Sequence, residues 1–157
     1  MTTFDSLSDV SAMGQAFIEQ LTQRQPPAVL DAAAQDSLYA TAVQTLKSRQ
    51  FPQAFALFGV LMAQNTRDAR YLSGMAHAAQ GAGEMGLALP LHSVALSLAT
   101  EPEPYLLDLA QALIAIQSTG LAKVLLDMIG PDSQFAADAS KLTQRALAVE
   151  GLLEHAA

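Results

Sequence analysis

The chain has no cysteine, no tryptophan, few charges and no apolar run near the length of a membrane span. Without cysteine there are no disulfide staples and no thiol chemistry, which suits a reducing cytosol. Charged residues make up only 15% of the 157 residues, against about 25% in an ordinary soluble domain. The imbalance is acidic, with 8 Lys and Arg against 15 Asp and Glu, a net charge of −7. Nucleic-acid binding depends on neutralising phosphates with basic side chains, so that class is excluded. No polybasic stretch draws the chain to an anionic membrane. No apolar run approaches the roughly 18 residues of a transmembrane helix. The opening MTTFDSLSDV lacks the basic and apolar regions of a secretory signal. A cytoplasmic protein is expected.

What the chain has instead is apolar residues, 51% of the total, many of them alanine. Such a surplus serves tight helix packing, an apolar surface kept open for a partner, or both. Three segments align without gaps: LYATAVQTLKSRQFPQAFALF from Leu38, LSGMAHAAQGAGEMGLALPLH from Leu72, and LLDLAQALIAIQSTGLAKVLL from Leu106. Ala42, Ala76 and Ala110 coincide, as do Ala54, Ala88 and Ala122, and Leu38, Leu72 and Leu106. The shared interval of 34 residues is the tetratricopeptide length.

Each unit reads as a helical hairpin, whose helices approach to about 8–10 Å only where the contact residues are small. The leucine column sits four residues before the first alanine, on the same helix face. Turn signals fall between the two alanine columns, at SRQFP, GAGEMG and QSTG, and Pro52 suits the first turn of a helix. Thr45, Ala79 and Leu113 stand where an aromatic is common in this repeat. Pro90, about one turn into a predicted helix, implies a local kink.

The expected fold is all-α: three repeats (35–68, 69–102 and 103–130) in a curved stack, after an N-terminal helical region (1–34) and before a C-terminal capping helix (131–157). In the last, Phe135, Ala139, Leu142, Ala146, Val149 and Leu153 form one apolar stripe, with Asp132 placed as its N-cap. At the other end Leu7, Val10, Gly14, Phe17, Ile18 and Leu21 share a helix face, which Pro26-Pro27 ends. That helix folds back as a cap or pairs with a second copy, in which case Leu7, Val10, Phe17, Ile18 and Leu21 are the dimerisation residues. A short second helix is expected from about Ala28.

In a tetratricopeptide stack the first helix of each repeat lines the concave face. Residues of those helices outside the alanine and leucine columns are therefore the candidates for binding: Tyr39, Val43 and Leu46; Ser73, His77 and Gln80; Leu107, Gln111 and Ile114. The lining is mostly apolar, with Lys47 and Arg70 at its margins. It fits an extended peptide held by apolar anchors rather than a clamp for a terminal carboxylate. Tyr39 and Leu107 could equally belong to the core.

Catalytic chemistry has little to stand on. The histidines His77, His92 and His155 match no metal-ligand spacing, and His92 falls on a core-facing position. Gly81, Gly83 and Gly86 follow a helix rather than a strand, with no Lys-Ser or Lys-Thr after them. Asp31 and Asp36, and Glu101 and Glu103, sit where acids cap helices. No nucleophile has a base. No enzyme activity, metal or cofactor is expected.

The stretch Leu38 to Ile129, about three-fifths of the chain, resembles the class II chaperones of type III secretion, the SycD/LcrH/IpgC type. LYATA (38–42), QFPQAFALF (50–58), DARYLSGMA (68–76), QGAGEMGLA (80–88) and AQALIAIQSTGLA (110–122) carry the resemblance, and Asp68 to Gly74 is its most distinctive piece. Met85 and Thr119 depart from the aromatic or leucine usual there, and Ala76 from a glycine. The resemblance implies a bacterial cytoplasmic chaperone that keeps hydrophobic translocator proteins soluble until export. It further implies that an extended N-terminal segment of the cargo, with a Pro-x-Leu-x-x-Pro type motif, lies in the groove. Tyr39 and Phe51 match the family's aromatic pocket residues, and members are often homodimers. The alternatives are a chaperone of needle subunits, or a scaffold or regulatory adaptor unrelated to secretion.

Overall fold

The structure, a computed structural model, describes residues 29–156. Those residues form seven α-helices and no strand: α1 (Ala32–Lys47), α2 (Phe51–Gln64), α3 (Ala69–Gly81), α4 (Met85–Leu98), α5 (Glu103–Ala115), α6 (Thr119–Asp127) and α7 (Ala136–Ala156). Helices adjacent in sequence pack in pairs. The chain divides into two compact units, one ending at Ala99 and the other beginning at Thr100. The first contains the hairpins α1–α2 and α3–α4; the second contains the hairpin α5–α6, with α7 packed on both of its helices. Leu7, Val10, Phe17, Ile18 and Leu21 lie outside the described residues.

The three hairpin turns are one object used three times. Arg49, Gly83 and Gln117 have positive φ angles of 59°, 84° and 65°, at the same 34-residue interval as the alanine columns. After each, a backbone N–H reaches back five residues: Gln50 to the Thr45 carbonyl (3.1 Å), Glu84 to Ala79 (2.9 Å) and Ser118 to Leu113 (2.9 Å). This 6→1 bond satisfies a carbonyl that the ending helix would otherwise strand. The same three residues then accept from the alanine that opens the next core column, Ala54, Ala88 and Ala122, at 2.9, 3.0 and 3.2 Å. All six column alanines have no exposed surface, so each hairpin closes on small residues as the repeat requires.

Between the hairpins of the first unit, α2 packs on α3 through two glycine notches. A Cβ on Gly74 would collide with the ring of Phe58, and one on Gly81 with the ring of Phe51. Each pair of residues is seven apart, or two helical turns, and the pairing runs in opposite directions along the two helices. Phe58 is fully buried, whereas Phe51 is half-buried.

Helix starts follow local chemistry. The Asp31 carboxylate accepts from the Ala34 N–H at 2.8 Å, and Pro52 lies in the first turn of α2. Leu30 is tied to the end of α2 by its N–H donating to Gln64 Oε1 at 2.9 Å. The short lead-in helix and the first helix of the repeat are one element, α1. Helix α4 is helical on both sides of Pro90; the residue that loses its donor, Gly86, is exposed, so water can satisfy its carbonyl.

The start of α7 differs from expectation. Asp132 lies in a turn, because two successive turn bonds, Ser133 N–H to Gly130 O and Ala136 N–H to Ser133 O, both 3.1 Å, occupy the backbone there. Ser133 Oγ accepts from the Phe135 N–H at 3.1 Å, and the helix begins only after Phe135. Of the stripe on α7, Ala139 and Ala146 are buried, while Leu153 is exposed. Lys123 bridges α6 to Glu150 on α7 at 2.7 Å, and this bond, helped by Thr119, holds the Glu150 carboxyl below its ordinary range. Among the described residues, no helix is long and apolar enough to cross a membrane.

Candidate peptide-binding site

The run Asp68 to Gly74 builds the most organised cluster of the first unit. Asp68 caps α3, its Oδ1 accepting from the Arg70 N–H at 3.0 Å. The Arg70 guanidinium folds back on the same carboxylate, Nε to Oδ1 at 3.0 Å and Nη2 to Oδ2 at 2.7 Å, a two-point pairing that fixes its plane. So held, Arg70 lies over the Tyr39 ring at 5.3 Å and the Tyr71 ring at 5.6 Å, within cation–π range. Tyr39 in turn meets Phe58 edge-on, with centroids 6.0 Å apart at 73°, and Tyr71 at 5.8 Å and 48°. Three helices thus converge on Tyr39: its own α1, α2 through Phe58 and α3 through Tyr71.

The electrostatics follow from that packing. The hydrogen bond from Arg70 holds the Asp68 carboxyl below its ordinary range, against a smaller opposing effect of burial. The same bond raises Arg70. Burial pushes the Tyr71 hydroxyl up, the Asp68 carboxylate adding to it. Arg70 is not a free cation at the margin of a groove; it is the clamp of an aromatic cluster.

The candidate residues fall into two kinds. On α1, Tyr39, Val43 and Leu46 lie at i, i+4 and i+7, on one face, and all three are half-buried. Together they make a row of partly open apolar side chains. The equivalent row of the second repeat is turned toward its own hairpin partner. Ser73 is buried. His77, half-buried, meets the His92 ring edge-on at 5.0 Å and 81°. His92 is buried, as its core position predicts, with Nε2 at 3.1 Å from Gln80 Oε1. Phe51 is engaged on Gly81. In the second unit Leu107 is half-buried, Gln111 exposed and Ile114 buried. Ser73 and Ile114 therefore offer little surface to a ligand.

Four residues of the cluster are not among the candidate site residues: Phe58, and Asp68, Arg70 and Tyr71 of the distinctive run from Asp68 to Gly74. Two signals were available. Phe51 and Phe58 have the same seven-residue spacing as Gly74 and Gly81, and Asp-x-Arg places a guanidinium within reach of a capping carboxylate.

Paired helices, a 34-residue turn interval and buried alanine columns define an all-α protein of the tetratricopeptide type. More particularly, the chain has the SycD fold over most of its length. It is similar to the Yersinia enterocolitica type III secretion chaperone SycD in complex with a peptide of the translocator YopD, with a TM-score of 0.67 and 18% identity over 76% of this chain and 95% of that one. The Yersinia enterocolitica type III secretion translocator chaperone SycD matches with a TM-score of 0.68 and 18% identity over 80% and 89% of the two chains. An alternative dimer of the same chaperone gives 0.69 and 17% identity over 79% and 97%. No protein-family model and no curated protein matches the sequence.

Proposed function

We propose that this chain is a type III secretion chaperone that holds a hydrophobic translocator protein through an extended N-terminal segment and keeps it soluble in the bacterial cytoplasm until export. The observation that carries the reading is the fold shared with SycD, whose structure with a YopD peptide this chain matches over 95% of the chain in that structure. The row Tyr39, Val43 and Leu46 gives the reading a physical means: apolar side chains held half-open on a rigid helix. Leu107 and Gln111 occupy the equivalent positions of the third repeat and are proposed to contribute.

The energetics suit a cargo that must be surrendered. Three apolar anchors yield about 1.5–3 kcal/mol each on burial, and ordering a disordered segment takes back about 2–5 kcal/mol. The anchors alone leave at most about 7 kcal/mol, so contacts of the segment outside the pockets are needed to bring the affinity to about micromolar. Co-expression with a membrane-active translocator tests the reading: the wild-type chain should keep that protein soluble, and Tyr39→Asp should let it aggregate. Equal solubility with either chain would contradict it.

A further inference from the structure

A second opening lies wholly within the second unit. It is a cavity of about 470 Å³ formed where the start of α5, the end of α6 and the turn before α7 meet, within the size range of small ligand pockets. Leu106 contributes a buried side chain, Phe135 is half-buried beside it and Met128 also lines the cavity. Two carboxylates, Glu101 and Glu103, also line it, with Thr100, Pro102 and Gln134, and no lysine or arginine takes part.

The charges are available. Among the described residues no base is ion-paired with Glu101 or Glu103, whereas both lysines of this unit are engaged elsewhere, Lys123 with Glu150 and Lys141 with Asp138. The apolar surface does not stop at the cavity. Met128 is 66% exposed, and Val124, one turn earlier on the same face, is 57% exposed. Apolar side chains that adjoin a cavity extend its apolar surface into a patch, the kind of surface that marks an interaction site, and a methionine adapts readily to a partner's shape.

We infer that this cavity is a docking site for a segment of a partner protein that carries an arginine or lysine next to a large apolar residue. The apolar side chain enters against Leu106 and Phe135 and the cation meets Glu101 and Glu103. The neighbouring residues of the segment then cover Met128 and Val124. A second copy of this chain is a poor occupant, because each copy carries a charge of −7.

The test uses the full chain labelled with ¹³C at its methionine methyl groups, the Met128 signal being assigned from Met128→Leu. The probes are the peptides Gly-Ser-Leu-Arg-Leu-Arg-Ser-Gly and Gly-Ser-Leu-Glu-Leu-Glu-Ser-Gly. The arginine peptide should shift the Met128 methyl signal and the glutamate peptide should not. Replacing both carboxylates, Glu101→Gln with Glu103→Gln, should weaken the arginine peptide about tenfold, the loss of two solvent-exposed ion pairs. Tyr39→Asp should leave this binding intact, which separates it from the translocator-binding face. No shift at Met128, an equal shift with the glutamate peptide, undiminished binding by the double variant, or loss of binding with Tyr39→Asp would each overturn the proposal.

Discussion

The ring of Phe58 occupies the space into which a side chain at Gly74 would grow. With the matching contact of Phe51 at Gly81, it limits how closely the second helix of one hairpin approaches the first helix of the next. Phe58 is 1% exposed and has nowhere to move. Gly74→Ala should therefore cost about 1–3 kcal/mol of unfolding free energy, as overpacking of a dense core does. Gly81→Ala meets the ring of Phe51, which is half-buried and can swing outward, so its cost should be the smaller of the two. Urea denaturation of the two variants checks the order; equal losses would mean that the two notches are equally rigid.

The repeated turn makes an unequal prediction for its three versions. Gly83 occupies the left-handed region freely, whereas Arg49 and Gln117 occupy it with a Cβ. Gly83→Ala should destabilise by about 1 kcal/mol. Arg49→Gly and Gln117→Gly should be neutral or stabilising, since relief of the left-handed strain offsets the added freedom of the unfolded chain. Thermal melts of the three variants read the sign directly.

Asp68 gives the fold a dependence on acid. Its folded carboxyl lies below the ordinary value of 3.8 because Arg70 hydrogen-bonds it. Between the folded and unfolded values the unfolded chain binds more protons, so stability falls as pH falls. The contribution is fully present above about pH 4 and is lost as pH drops through the folded value. Asp68→Asn should lower stability at pH 6 and flatten this part of the profile. Urea midpoints from pH 6 to pH 3 check it; an unchanged slope would mean that Asp68 carries no such linkage.

Much of this architecture was legible in the sequence because the hairpin is a local object. The alanine columns needed only their interval to be found, and all six prove to be fully buried. Pro52, Asp31 and the core position of His92 also followed from rules that act within one turn or one helix. The contacts between hairpins did not. That Phe58 belongs on Gly74 depends on which helix follows at what height, which no single hairpin encodes. The turns at Arg49 and Gln117 were readable as turns but not as left-handed, since neither residue is glycine or asparagine. The second row of candidate residues is disposed differently from the first for a related reason. His77 and Gln80 share the face of Tyr39's row by repeat position, but His92 across the turn draws them toward α4. Asp132 was misplaced as a cap because the turn at Ser133 takes up the backbone first.

The Arg70 clamp should matter for binding as well as for folding. Arg70→Ala removes the cation from Tyr39 and Tyr71 and the two-point pairing with Asp68, but leaves the buried contacts of Tyr71 and Phe58 in place. Cations over rings at partly exposed sites contribute about 0.5–1 kcal/mol and an exposed ion pair about 0.2–1 kcal/mol, so stability should fall by about 1–2 kcal/mol. A translocator segment should bind about threefold to tenfold more weakly once Tyr39 is free to rotate, if the cost of re-ordering one side chain is about 0.5–1.5 kcal/mol. Isothermal titration with the peptide beside a denaturation curve separates the two effects.

The central claim, that the open row on α1 is where a translocator segment lies, is best tested by site-specific photo-crosslinking. A photoreactive amino acid at Leu46, half-buried at the end of that row, should capture the N-terminal segment of a co-expressed translocator. The same group at Gln53, exposed on α2, should not. Capture at Gln53 as efficient as at Leu46, or capture at neither, would contradict the account.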